Sequence, residues 1–109
     1  MGGFAGGDLA AAVTKAGGLG MIGGMFNMNK LHDHLAKAME ILHIDQSLDS
    51  SKTLPVGVGL LPFVSKLEEA LPVINKFNPH VLWLFVAREF EDYVACAQRI
   101  RGVSPDTRI

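Results

Sequence analysis

Four times along this chain of 109 residues a short apolar run gives way to a small loop and then to an amphipathic stretch of helical length. That alternation is the signature of strands each followed by a helix crossing back over the sheet. The clearest strand is Pro55 to Leu60 within LPVGVGLLPF, which is apolar on both faces apart from glycine. Such a two-sided run belongs in a parallel sheet covered by helices rather than in a half-solvated antiparallel one. Leu19 to Ile22 reads as an earlier strand, and Val81 to Val86, containing Trp83 and Phe85, as a later buried one. Thr107, Arg108 and Ile109 look like the opening of another.

Strand starts near positions 19, 55, 81 and 107 repeat at about the length of a βα unit. Eight such units close into a barrel of about 250 residues. The expected class is therefore α/β: a partial TIM (β/α)8 barrel of about three to four βα units with parallel strands. A small open doubly wound sheet is the alternative, because strand and helix alternation alone does not separate an open sheet from a closed one.

Helix signals fill the intervals. The first helix is expected from about Gly7 to Ala16, with Leu9, Ala12, Val13 and Ala16 at helical spacing and Gly17 and Gly18 closing it. A second spans about Asn29 to Leu42, with Leu31, Leu35, Ala38 and Leu42 on one face and Lys30, Asp33, Lys37 and Glu40 on the other. Ser65 and Glu68 form a capping box that starts a third, whose stripe is Leu67, Ala70, Leu71 and Ile74 and in which Pro72 implies a kink or a late start. The fourth runs from about Glu89 to Arg101, acidic in its first turn and basic in its last, with Phe90, Val94, Ala97 and Ile100 as its buried stripe.

Composition removes several classes of function. A 49% hydrophobic content with 19% charged residues is globular rather than disordered. Ten Lys and Arg against eleven Asp and Glu, spread along the chain, leave no basic stripe for phosphates, so nucleic acid is not an expected partner. The single cysteine, Cys96, reads as a small buried hydrophobe in a reducing, cytoplasmic setting. The N-terminus lacks the basic region of a secretory signal, and no apolar run reaches the roughly 18 residues of a membrane span.

The first 24 residues hold nine glycines around one small-residue helix, MGGFAGGDLAAAVTKAGGLGMIGG. Gly2, Gly3, Gly6 and Gly7 lack the spacing of a dinucleotide-binding turn, and no phosphate-binding lysine follows. Glycines at the C-terminal ends of parallel strands, as Gly23 and Gly24 are placed, leave a bare backbone that a planar ligand can approach. His32 and His34, two apart on a helix, diverge as solvated surface residues; His43 lies at a helix end and His80 before a strand. Glu68 with Glu69 and Glu91 with Asp92 are adjacent pairs on helix surfaces. No nucleophile, base and orienting acid assemble from these positions, and no metal site is expected.

MGGFAGGDLAAAVTKAGGLGMIGG followed by LPVGVGLLPF resembles the nitronate monooxygenase family, formerly called 2-nitropropane dioxygenases. Met1 to Gly3, Asp8 to Val13, Ala16 to Gly20 and Ile22 to Gly24 match the family's pattern in order, with looser likeness through VLWLF and RIRGVSPDTRI. The resemblance implies an FMN-dependent barrel enzyme that oxidises alkyl nitronates with O2 to a carbonyl compound and nitrite. It places Met1, Gly2, Gly3 and Gly59 beside the flavin; many members carry asparagine at the position of Gly59, whose side chain helps hold the flavin. The family's catalytic histidine and its FMN phosphate loops belong to the later half of its barrel. Residues 1–109 are thus expected to form the N-terminal part of a flavin-binding barrel, without its first strand and second half. Alone they are expected to be inactive and to self-associate through open sheet edges. A flavin-type enoyl reductase, which shares the LAAAV and AGGLG features, and a non-catalytic barrel half are the competing readings.

Overall fold

The computed structural model describes residues 6–24, 28–42, 53–61, 67–85 and 87–109. Its elements are α1 (Gly7–Lys15), β1 (Gly20–Gly24), α2 (Met28–Ile41), β2 (Leu54–Leu60), α3 (Leu67–Phe77), β3 (Pro79–Leu84) and α4 (Phe90–Val103). The strands form one open parallel sheet in the order β1-β2-β3. Beyond β3, Arg108 makes a parallel bridge with Val81: its N–H donates to the His80 carbonyl at 2.9 Å, and Leu82 N–H donates to its carbonyl at 2.7 Å. The fourth expected strand thus opens where the sequence placed it.

Strand alternation divides the sheet into two faces. Ile22, Val56, Val58, Leu60 and Leu82 are buried in a single cluster with buried residues from α1, α2, α3 and α4. The described helices therefore share one face. A doubly wound sheet reverses its strand order and carries helices on both faces; sequential order with helices on one face is the opposite arrangement.

Glycine fixes how closely α1 can lie. A Cβ on Gly20 would meet the backbone of Ala10, and one on Gly7 would meet the His34 carbonyl, so α1 rests directly on β1 and α2. Only small residues fit that seam: Gly7, Ala10 and Ala11 are the buried positions of α1. This corrects the expected stripe, since Leu9 is 54% exposed and Val13 is exposed as well. The large side chains of α1 point away because its close contact excludes them. The helix closes as expected: Gly17 has φ of 99°, Gly17 N–H donates to Thr14 O, and Gly18 N–H donates to Val13 O, which is the Schellman pattern. Thr14 then ties helix to sheet, its Oγ1 donating to the Pro55 carbonyl at 2.9 Å and accepting from Gly20 N–H at 3.0 Å.

Helix α2 buries Met28, Leu31, Leu35 and Ala38, close to the expected face. In α3 the buried residues are Ala70, Ile74 and Phe77, and Pro72 lies inside the helix on its exposed side. The expected cap Ser65 lies outside the described residues. Helix α4 departs from expectation in its first half, where Phe90 is 76% exposed and Val94 is exposed, while Cys96 and Ile100 are buried as expected. The cause sits at its C-terminal end. Buried Ser104 Oγ lies 2.7 Å from Asn78 Oδ1 and 2.5 Å from Thr107 Oγ1, which in turn lies 2.7 Å from the Pro79 carbonyl oxygen, a short chain of polar contacts closing the turn. Pinning Ser104 inward brings Ile100 and Cys96, four and eight residues before it, onto the same face. None of the described helices is long and apolar enough to cross a membrane.

Candidate functional site

The sheet face turned away from the helices carries the candidate site. Register pairs Gly23 with Gly59 and Gly59 with Trp83, giving one row across β1, β2 and β3. Paired residues on adjacent strands share a face and lie about 5 Å apart. The row beneath is Met21, Gly57 and Val81. A Cβ on Gly57 would run into Met21 Sδ, so the methionine lies across that glycine and fills the lower row. The upper row has no side chain at two of its three positions. It sits one residue before the ends of β1, β2 and β3, at the C-terminal rim where parallel α/β sheets bind ligands.

Gly59 is buried, Gly23 half-buried and Trp83 56% exposed. The indole lies 5.5 Å from the Phe85 ring between centroids, at 47°. Exposure of Trp83 corrects the expectation of a buried strand: Leu82 enters the core, whereas Trp83 points to the other side. Both rows lack ionisable side chains. At its exposed Trp83 end the upper row can meet a flat, largely apolar ring, but it offers no side-chain acid or base.

The remaining candidates are spoken for. His34 Nδ1 accepts from Gly7 N–H at 3.3 Å, and His32 packs edge-on to Phe77 at 5.1 Å with Lys76 Nζ 3.1 Å from its Nε2. Both are half-buried, not the solvated pair expected, because α1 and α3 close on either side of α2. His80 lies inside β3 and shares a 2.9 Å hydrogen bond with Thr53 Oγ1, near the N-terminal ends of the strands and so away from the glycine row. His43, Met1, Gly2 and Gly3 lie outside the described residues. Glu68 is held below the ordinary carboxylate range by its hydrogen bond from Arg99, an exposed pair joining α3 to α4. Burial pushes the Cys96 thiol up, against a smaller opposing pull from Arg99, the setting of a structural cysteine packed in the core. Among the described residues no three His, Cys, Asp or Glu side chains converge on a metal position.

Of the expected flavin-facing residues, then, Gly59 is the one the structure describes. Trp83 was not singled out from the sequence as a site residue. Strand order would have revealed it, since a central glycine and a neighbouring aromatic fall into one row only once the pairing is known.

No family model matches the chain, and no solved structure matches it. Among curated proteins, the nitronate monooxygenase npaC of Metarhizium robertsii is 36% identical over 107 residues, which cover 93% of this chain and 29% of that relative. The chain thus spans less than a third of the length of the relative it matches. The similarity to a protein of that name accordingly runs along almost the whole of this chain and along a part of the relative.

Proposed function

We propose that this chain supplies the ring-facing part of an FMN site in a nitronate monooxygenase built on a (β/α)8 barrel. The observation that carries the reading is the Gly23–Gly59–Trp83 row at the C-terminal rim of a parallel sheet with its described helices on one face. Similarity to a protein named nitronate monooxygenase supports the choice of chemistry. When bound, the flavin would take electrons from an alkyl nitronate and pass them to dioxygen, giving a carbonyl compound and nitrite.

The chain's own residues would bind and orient. Gly23 and Gly59 let a ring approach the backbone, where peptide groups rather than side chains meet its polar edge. Met21, lying over Gly57, closes the floor below and keeps water from beneath the ring. Proton transfer and phosphate binding are assigned to other parts of the enzyme, because the row holds no titratable group.

That division makes a specific expectation. If these residues meet the isoalloxazine and not the phosphate, the 109-residue chain binds FMN and riboflavin with equal, weak affinity, within roughly twofold of each other. Equilibrium titration followed by flavin fluorescence measures both. A strong preference for FMN would place a phosphate site in this chain and overturn the division; failure to bind either flavin would overturn the reading itself.

A further inference from the structure

We propose that Trp83 is the aromatic wall of that flavin site, packing against the isoalloxazine from the β3 side. The inference rests on the flavin reading and adds a residue to it. Register sets Trp83 directly beside Gly59, so the indole rises one strand spacing, about 5 Å, from the backbone that a ring would approach. Its exposure is not a consequence of a loose strand, because Leu82 before it is buried and Leu84 after it packs on the core. A large aromatic is thus held out on a firmly seated strand. Phe85, two residues on, packs against the indole at 5.5 Å between centroids.

Chemistry favours the pairing. The indole is electron-rich and the oxidised isoalloxazine electron-poor, and offset or tilted aromatic contacts add to the area they bury. With Gly59 buried and Gly23 half-buried, the accessible side of the row is its Trp83 end, where an arriving ring first finds a partner.

The chain contains one tryptophan, so its emission reports on this position alone. Riboflavin and FMN are titrated into the chain while flavin retention is measured separately by ultrafiltration. Bound flavin is expected to quench Trp83 emission in proportion to occupancy. Trp83→Ala is expected to weaken binding roughly 3- to 10-fold, with Trp83→Phe recovering most of the loss. Phe90→Ala, which removes an even more exposed aromatic outside the sheet, is expected to leave affinity unchanged. Thermal melts show that each variant is folded; if Trp83→Ala is not, the emission change in the unmodified chain and the Trp83→Phe affinity decide the matter. Flavin retained with no change in Trp83 emission would overturn the role of Trp83 and leave the flavin reading standing. No flavin retained would overturn both.

Discussion

Alanine at Gly20 is expected to cost the fold about 3 kcal/mol, at the upper end of what one added methyl group does in a packed protein. The methyl would meet the carbonyl oxygen, carbonyl carbon and Cα of Ala10, which are backbone atoms that cannot rotate aside. Relief requires α1 to lift from β1. Lifting α1 also stretches the two hydrogen bonds through which Thr14 Oγ1 holds Gly20 N–H and the Pro55 carbonyl. In a domain whose total stability is about 5–15 kcal/mol, the loss lowers the melting temperature by roughly 15 °C. Gly102→Ala is the matched control: nothing lies within 4 Å of its added Cβ, and the position is helical and exposed. That variant is expected to gain about 0.5–1 kcal/mol from helix propensity. Thermal and urea unfolding of the two variants checks both signs.

Leu35→Ala is expected to cost about 3 kcal/mol, with the urea m-value unchanged. Leu35 is fully buried in α2, which packs against α1, α3 and β1. A cavity there opens between backbone-fixed neighbours, since the α1 side is already at its closest approach through Gly7 and the His34 carbonyl. The surroundings cannot collapse to fill it, which places the cost well above simple transfer of the lost atoms. Leu9→Ala gives the contrast. Its side chain stands on the outer side of α1, and its removal is expected to change stability by no more than about 0.5 kcal/mol.

That contrast shows where the sequence was legible and where it was not. The α2 stripe could be read because its polar and apolar residues separate cleanly, with Leu31, Leu35 and Ala38 buried and Lys30, Asp33, Lys37 and Glu40 not. Strand positions and the parallel class followed from two-sided apolar runs, and the sheet pairs β1, β2, β3 and Arg108 in sequence order. In α1, and in the first half of α4 at Phe90 and Val94, hydrophobicity does not mark the buried face, whereas Cys96 and Ile100 are buried as expected. In α1 close packing demanded small residues, so Gly7, Ala10 and Ala11 went in and Leu9 and Val13 stayed out. In α4 a hydrogen-bonded turn at Ser104 and Thr107 set the phase, and no periodicity in the helix itself encodes that.

The candidate site was half legible. Gly59 could be named from resemblance and Gly23 from its place at a strand end, yet their meeting in one row with Trp83 depends on register, which joins positions 36 and 24 residues away. Histidines looked free because each was read on its own helix or strand. Their partners come from elsewhere: Gly7 for His34, Phe77 for His32 and Thr53 for His80.

The most direct test of a flavin ring over Gly59 is to install at that position the asparagine found there in many nitronate monooxygenases. Riboflavin affinity of the 109-residue chain and of Gly59→Asn is compared by fluorescence titration. One added side-chain hydrogen bond to the ring is expected to tighten binding roughly 3- to 10-fold, a gain that misfolding cannot imitate. Equal affinity in both proteins, or no flavin bound by either, would contradict a flavin on this face of the sheet.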